Sequence, residues 1–336
     1  MASTSSSSPF ASVASPLTNV YDRFSRWRSA LGLSNPGTVE NLTKEVKSTH
    51  LTNFFFDGAR ADLAKNLSVL PLFQVTHSFS LASQTAPPTY NFGAVFANNS
   101  VLLTGNVDSE GNVNGRFNHG WTATSVTKVQ AQLSQQAGHN MIHLEHDYQG
   151  SDYSVNFKAL NPSPTDFGGM YFASYLQSVT KNLAIGFESL HHRASGMTDT
   201  STSYLAKYTG SNKDWIATAQ LQPSGALQAT YWQKLGDKVE AAADLHLVNA
   251  PQRRDAVATL GLKYDLRMST FRAQLDSTGK VSALLEQRFA PTFAFLVSGE
   301  IDHFKNAARV GMGVMIESGS MSPEEMGMQP PPQPPV

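Results

Sequence analysis

Apolar and polar residues alternate through residues 57–317, in successive segments of about ten residues each. For example, Val281 and Leu285 share one parity, whereas Glu286 and Arg288 share the other. Because successive side chains of a strand point to opposite faces of a sheet, each segment has one apolar and one polar face. No apolar run reaches the roughly 18 residues that a membrane-spanning helix needs. The pattern therefore favours an all-β fold, a transmembrane β-barrel that crosses a bilayer with its strands.

A large soluble β-protein is the alternative, since its sheets also carry one apolar face. Composition favours the membrane barrel, because only 15% of the residues are charged, against roughly 25% in soluble domains. The mean hydropathy of -0.26 agrees with a barrel that has a polar lumen. A net charge of -1 argues against a nucleic-acid partner. With no cysteine, the chain has no disulfide framework and no thiolate metal site.

The length of the alternating region predicts the size of the barrel. At about ten or eleven residues per spanning strand plus a few per turn, it holds about 18 to 20 strands. Turn residues separate many of the strands. About 19 strands are predicted, centred near residues 62, 78, 94, 104, 116, 128, 143, 155, 173, 187, 205, 217, 229, 243, 260, 271, 283, 297 and 312. A closed barrel of this size has a water-filled lumen.

The N-terminal segment, residues 1–34, is predicted to be flexible, with one short amphipathic helix over 16–33. The apolar stripe of this helix consists of Leu17, Val20, Phe24, Trp27 and Leu31. Its Arg- and Ser-rich composition also fits a targeting peptide, but a cleaved leader rarely precedes an outer-membrane barrel.

Three further regions complete the predicted organisation. Residues 35–56 form a helix and a linker, with the helix over 38–50 and Thr38 as its N-cap. Residues 57–317 form the barrel. Residues 318–336 are a disordered tail, because their many prolines suit neither a β-ladder nor a helix.

Several long motifs, in a fixed order, carry a resemblance to a known family. They are PPTYNFGAVFANNSVLLTGNVD (87–108), LEHDYQGSDYSVNFKALNP (144–162), SYLQSVTKNLAIGFE (174–188), LDSTGKVSALLEQRF (275–289) and SGEIDHFKNAARVGMG (298–313). From about residue 35 to 316 the chain resembles the channel-forming subunit of the TOM complex, the protein translocase of the mitochondrial outer membrane, in its fungal form. That family belongs to the mitochondrial porins, whose known member has nineteen strands. An odd number of strands implies that the first strand, near 57–67, closes on the last in parallel. The resemblance also implies a helix 38–50 inside the barrel and preceding residues that face the intermembrane space.

The resemblance also implies a function. The chain is expected to be a multi-pass β-barrel of the mitochondrial outer membrane that conducts unfolded precursor proteins. Expected partners are precursors with presequences, a receptor subunit, small single-span helical subunits, a second copy of the chain and membrane lipids. A metabolite-conducting mitochondrial porin is the alternative, to which the stretch TLGLKYDL (259–266) is also suited. No enzyme motif occurs, so neither an enzyme nor a cofactor is predicted. His143 with Glu145 has too few ligands for zinc.

Acidic residues that fall on the lumen parity are the candidates for binding basic presequences. The predicted presequence-binding and pore-lining set is Asp108, Glu110, Glu145, Asp147, Glu240, Asp244, Asp276 and Glu286. By similarity to the family's acidic patches, Asp108, Glu110 and Glu286 are the leading candidates. Parity also points Glu188, Glu300, Asp302, Lys128, Lys158, Lys263, Arg272 and Arg288 inward. The alternative is that these acids pair with basic residues on neighbouring strands.

The last strand and one outward tryptophan provide two further candidate sites. Arg309, Gly311, Val314 and Ile316 fit the pattern of a β-signal, which the barrel-insertion machinery reads. The alternative is that Gly311 lets another segment of the chain approach closely. Trp215 is the candidate interface residue, either at the membrane interface or near a contact between two barrels.

Overall fold

The computed structural model describes residues 28, 32–83, 86–136, 138–163, 166–194, 197–250 and 253–318. Most of the predicted helix over 16–33 and all of the predicted tail beyond residue 318 lie outside these residues.

The described residues contain nineteen strands, which form one sheet. They are β1 Gly58–Val69, β2 Leu72–Ser80, β3 Thr89–Ala97, β4 Val101–Asp108, β5 Val113–Thr122, β6 Ser125–Leu133, β7 Met141–Gln149, β8 Tyr153–Leu160, β9 Gly169–Ser178, β10 Leu183–Ala194, β11 Met197–Thr209, β12 Trp215–Leu221, β13 Ala226–Gly236, β14 Val239–Ala250, β15 Arg253–Asp265, β16 Ser269–Asp276, β17 Lys280–Ala290, β18 Phe293–Asp302 and β19 Ala307–Ser318. Every predicted strand centre falls inside its strand, so the prediction of an all-β barrel of this size is confirmed.

The sheet closes on itself through its first and last strands. Sequential neighbours are antiparallel, whereas β1 and β19 pair in parallel, from Gly58 opposite Gly311 to Lys65 opposite Ser318. An odd number of alternating strands leaves the first and the last running the same way, so parallel closure follows. We call the end where β1 and β19 begin the N-terminal rim, and the end where they finish the C-terminal rim.

Side-chain parity separates a lipid face from a lumen face. On β17, Val281 and Leu285 point outward and are 40% and 39% exposed, whereas Leu284 points inward and is 2% exposed. Aromatic rings line up on the outward face near the C-terminal rim. The series is Tyr148, Tyr153, Tyr175 and Phe187, with consecutive ring centroids 6.1 Å apart. Aromatic side chains at such a level are typical of a membrane interface.

Residues 34–56, which we call the inner segment, contain two short consecutive helices. A 3₁₀ helix over Glu40–Thr43 continues into the α-helix α1 over Lys44–Thr49. No helix among the described residues is both long and apolar enough to cross a bilayer. The predicted N-cap role of Thr38 is wrong, because the helix begins later and the Thr38 hydroxyl, which is buried, has no hydrogen-bond partner in the described part of the chain.

The inner segment lies inside the barrel because its apolar side chains pack on lumen-facing residues. Leu42 packs against Leu176, Ala184 and Leu205 on β9 to β11. Further along, Val46 packs against lumen-facing residues of β12 to β14, namely Ile216, Trp232 and Ala242. Both clusters remove aliphatic side chains from water, so the hydrophobic effect holds the segment against one side of the wall.

Candidate functional site

The inner segment crosses the lumen from one rim to the other. At the C-terminal rim, the Asn35 amide donates to the carbonyl oxygens of Gly150 (2.6 Å) and Tyr153 (3.1 Å). The Ser178 hydroxyl donates to the Ser34 carbonyl oxygen at 2.7 Å. Towards the N-terminal rim, the Ser298 hydroxyl on β18 donates to the Phe56 carbonyl oxygen. The segment therefore divides the lumen into a covered side and an open side.

A buried cluster of charges attaches the inner segment to β6, β7 and β8. The Lys128 ammonium lies 3.0 Å from a Glu40 carboxylate oxygen, 2.9 Å from Asp147 and 3.7 Å from Glu145. Lys158 also approaches Glu145, at 3.7 Å. The side chains of Lys128, Glu145 and Asp147 are 7%, 3% and 3% exposed. Burial raises the pKa of Glu40, but the hydrogen bond and positive charge of Lys128 outweigh it, so that the pKa of Glu40 is lowered.

Three carboxylates in this cluster have the spacing of a cation site. Oxygens of Glu40, Glu145 and Asp147 lie within 4.8 Å of one another. The Lys128 ammonium stands among them and supplies the positive charge that a metal ion would bring. The Asn156 amide satisfies further lone pairs by donating to Glu145 at 2.5 Å and to Asp147. The arrangement is thus a protein ion-pair network, and Glu145 and Asp147 lie beneath the inner segment instead of on the open lumen surface.

Asp108 and Glu110 lie at the N-terminal rim, in and beside the turn between β4 and β5. The Asp108 carboxylate accepts hydrogen bonds from the backbone N–H groups of Glu110 (2.9 Å) and Asn112 (2.8 Å) and from the Asn112 side-chain amide (2.8 Å). Asp108 therefore shapes the turn. Glu110 is exposed, and within the described residues its carboxylate accepts a hydrogen bond only from the Asn112 side-chain amide, at 3.5 Å.

Three other predicted acids lie on lumen faces with different degrees of pairing. Asp244 contacts His246 at 3.1 Å. Glu286 contacts Arg288 at 3.2 Å and is 22% exposed. Glu240 is half-buried, and among the described residues it has neither a hydrogen bond nor an ion pair, although lysines occupy the opposing positions on both neighbouring strands. Glu240 is therefore the least committed of the three.

Asp276 and Glu300 come together near the N-terminal rim, although β17 lies between their strands. Both line a cavity of about 270 Å³, together with Leu51 of the inner segment and Lys280. Glu300 also pairs with Arg309 on β19. Parity alone did not predict this grouping, because it depends on where the inner segment runs.

Two lumen residues that contact the inner segment were not among the predicted sites. Trp232 is 9% exposed beneath α1, and Arg272 lies 4.2 Å from the centre of the Phe54 ring, a cation–π contact. A sequence signal for Trp232 was present, since a large apolar side chain on the polar parity of a strand needs something to cover it.

The predicted β-signal residues all lie on β19, with Arg309 and Gly311 towards the lumen and Val314 and Ile316 outward. A Cβ atom at Gly311 would overlap the Phe56 carbonyl oxygen. Close approach by the inner segment therefore accounts for this glycine, as the alternative reading expected. On the outer face, Trp215 stacks on Tyr208, with ring centroids 5.1 Å apart, and the tilted ring of Tyr231 lies 6.0 Å away on its other side.

The barrel has an odd number of strands, its first strand pairs with its last in parallel, and an inner segment lies in its lumen. These features define a porin-type channel of the eukaryotic kind. The model of the eukaryotic porin family matches residues 35–311. The mitochondrial import receptor subunit tom40 of Neurospora crassa is 40% identical over 97% of this chain and 97% of its own length. TOM40 of Saccharomyces cerevisiae is 42% identical over 91% of this chain and 84% of its own. The human TOM40 homolog is 30% identical over 84% and 79%.

The chain belongs to the Tom40 family of eukaryotic porins, in its fungal form. It is therefore a β-barrel of the mitochondrial outer membrane and a channel of protein import, as the resemblance in its sequence implied. The metabolite porin is the less supported reading.

Proposed function

We propose that the channel attracts basic presequences through lumen carboxylates that the fold leaves outside its own ion-pair network. The observation that carries this proposal is Glu240, a lumen carboxylate without a partner among the described residues. Glu286, which is only singly paired, supports it. Glu145 and Asp147, in contrast, are assigned to holding the inner segment, because they are buried and fully paired.

The distribution of accessible acids suits transport. Glu110 and Asp276 lie near the N-terminal rim, whereas Glu240 and Glu286 lie nearer the C-terminal rim. Weak sites in series draw a positively charged chain forward without trapping it, whereas one deep site would hold it, as for ions in a channel. Lumen acids at several depths therefore favour passage.

A separate part of the barrel wall is uncharged. The lumen faces of β2 and β3 have no charged residue and present hydroxyl and amide groups, such as Gln74, Thr76 and Asn91. Such groups can exchange hydrogen bonds with an extended backbone and with water alike, so they bind weakly. In the proposed function this wall lets segments of any charge pass.

In the proposed assembly, the outer face contacts lipids, a receptor subunit, small single-span helical subunits and a second copy of the chain. The aromatic group around Trp215 is the proposed contact region. The channel makes and breaks no covalent bond, so no catalytic residue is assigned.

Electrophysiology tests the proposal. The full chain in planar bilayers is expected to prefer cations and to be blocked transiently by a basic presequence peptide. A Glu240→Gln/Glu286→Gln variant should bind the peptide more weakly and show a flatter dependence of block on salt, because screening acts on this attraction. The matched control, Asp166→Asn/Asp237→Asn, removes two charges from exposed loops and should block like the parent. Anion preference with no peptide response would favour a metabolite porin instead.

A further inference from the structure

A second cavity lies at the C-terminal rim, behind the inner segment. Its volume is about 610 Å³, within the range of small-molecule sites. Ser34, Pro36 and Glu45 form the side towards the lumen, and residues of β9 to β13 with their rim turns form the rest. The cavity is thus separate from the open side of the lumen, through which a precursor would pass.

Three lysines from three different places line this cavity. Lys181 lies in the turn between β9 and β10, Lys213 in the turn between β11 and β12, and Lys207 on β11. The Lys207 ammonium donates to the Pro36 carbonyl oxygen at 2.9 Å. The ammonium groups of Lys181 and Lys213 have no hydrogen bond or ion pair among the described residues. An anion in the cavity would be attracted by all three positive charges.

Acidic groups around the cavity do not balance these lysines. Glu45 is the one acid among the lining residues. Asp214 lies beside Gly210 on the same rim turn, by the edge of the cavity. Even with both carboxylates counted, three ammonium groups leave a positive excess.

The remaining residues that line the cavity provide hydrogen-bond donors and one aromatic side chain. Hydroxyl groups come from both turns and from the end of β11, at Thr180, Ser211 and Thr209. The aromatic side chain is that of Trp232, whose buried indole N–H has no hydrogen-bond partner in the described part of the chain. Hydroxyls and ammonium groups together are the donors that bind phosphate.

We propose that this cavity is a binding site for a phosphate group, held by Lys181, Lys207 and Lys213. A phosphate carries more than one negative charge and several acceptor oxygens, so it can accept hydrogen bonds from three separate ammonium groups. A single carboxylate cannot. Because Lys207 also holds the Pro36 carbonyl, a bound phosphate joins the two rim turns to the start of the inner segment. The site goes beyond the import function and does not depend on it.

The phosphate has two possible sources. A soluble phosphate compound reaches the cavity from the water of the lumen or the rim. A phospholipid headgroup reaches it over the rim, where Lys181 and Lys213 lie, while its acyl chains stay outside, because the strand residues that line the cavity, such as Lys207 and Trp232, face the lumen.

Thermal unfolding of the full chain in nanodiscs tests the site. In phosphatidylcholine discs we titrate inorganic tripolyphosphate, and in a second arm we add phosphatidic acid to the discs. A phosphate that binds the folded chain raises the midpoint with concentration. The Lys181→Gln/Lys213→Gln variant should weaken the apparent affinity by roughly tenfold or more, since each lost contact is a charge-assisted one. Among the described residues neither lysine has a partner to lose, so the variant should fold normally.

The control is Lys238→Gln/Lys305→Gln, which removes two exposed turn lysines and should respond like the parent. A response to tripolyphosphate identifies a soluble ligand, and a response to phosphatidic acid alone identifies a headgroup. The proposal is overturned if the parent responds to neither, or if the Lys181→Gln/Lys213→Gln variant responds as strongly as the parent.

Discussion

Glu40 on the inner segment and Lys128 on β6 form an ion pair at 3.0 Å across 88 positions of sequence. The ammonium is nearly buried, whereas the Glu40 carboxylate is 45% exposed. Lys128 therefore pairs with Glu145 and Asp147 of the barrel wall, and Glu40 joins these three residues when the inner segment docks. This pair connects the docking of the inner segment to the charge of the barrel wall.

Replacing Lys128 tests its buried ion pairs with Glu145 and Asp147. In Lys128→Met, the buried carboxylates of Glu145 and Asp147 lose their common partner, so the free energy of unfolding should fall by about 3 to 5 kcal/mol. Denaturant unfolding in detergent micelles measures this change. A triple variant, Lys128→Met with Glu145→Gln and Asp147→Asn, should recover much of the loss, because no buried charge is then left unpaired. Equal loss in both variants would contradict the ion-pair explanation.

Truncating Leu42 tests the apolar docking of the inner segment. Leu42→Ala removes aliphatic contacts with Leu176 and Leu205, which costs about 2 to 5 kcal/mol in a packed site. The segment should then detach more often, and single-channel recordings should show larger conductance fluctuations. Leu285→Ala, a truncation on the outward face of β17, is the matched control and should leave the fluctuations unchanged.

His50 makes the docking of the inner segment dependent on pH. Burial lowers the pKa of His50 below its ordinary value of 6.5, and the negative charge of Asp244 opposes this shift only in part. The detached segment therefore binds a proton more readily than the docked one. Docking is fully favoured above pH 6.5 and weakens as the pH falls below it.

A spin label measures this pH effect, because the chain contains no native cysteine. The label on Lys47→Cys, an exposed position of α1, should become more mobile as the pH falls below 6.5. Adding His50→Gln should remove most of that change. A pH response that persists in His50→Gln would assign the effect to another group.

Substitutions on β19 can distinguish an effect on the packing of the inner segment from an effect on insertion into the membrane. Gly311→Ala places a methyl group against the Phe56 carbonyl and the Ser298 hydroxyl, so it should impair refolding into detergent micelles even with no insertion machinery present. Val314→Ala and Ile316→Ala shorten outward side chains and should refold normally. If those two variants insert poorly in isolated mitochondria, the β-signal prediction gains support; normal insertion would count against it.

The lumen acids show how far sequence parity reaches. Alternation placed Glu145, Asp147 and Glu240 on the correct side of their strands. It did not distinguish Glu240, which has no partner among the described residues, from Glu145 and Asp147, which are buried with Lys128. The difference comes from the inner segment, which covers β6 to β8 and so removes one group of acids from water.

The start of the inner helix shows the same limit at short range. Thr38 followed the usual N-cap pattern, yet it is 3% exposed and its hydroxyl has no hydrogen-bond partner among the described residues. The Asn35 side chain instead accepts a hydrogen bond from the Gly37 N–H at 2.7 Å while its amide holds the rim. Contacts with the barrel wall therefore decided where the helix began.

Alternation with a period of two is a local property, so the amino-acid sequence by itself determined the nineteen strands and their inward and outward faces. Because the number of strands is odd, it also determined the parallel pairing of the first strand with the last. The tertiary structure decided which side of the lumen stays open, which acids keep a free carboxylate and which lysines meet in the rim cavity. These features depend on contacts between residues far apart in the chain, such as Glu40 with Lys128 or Pro36 with Lys207, and no local period records them.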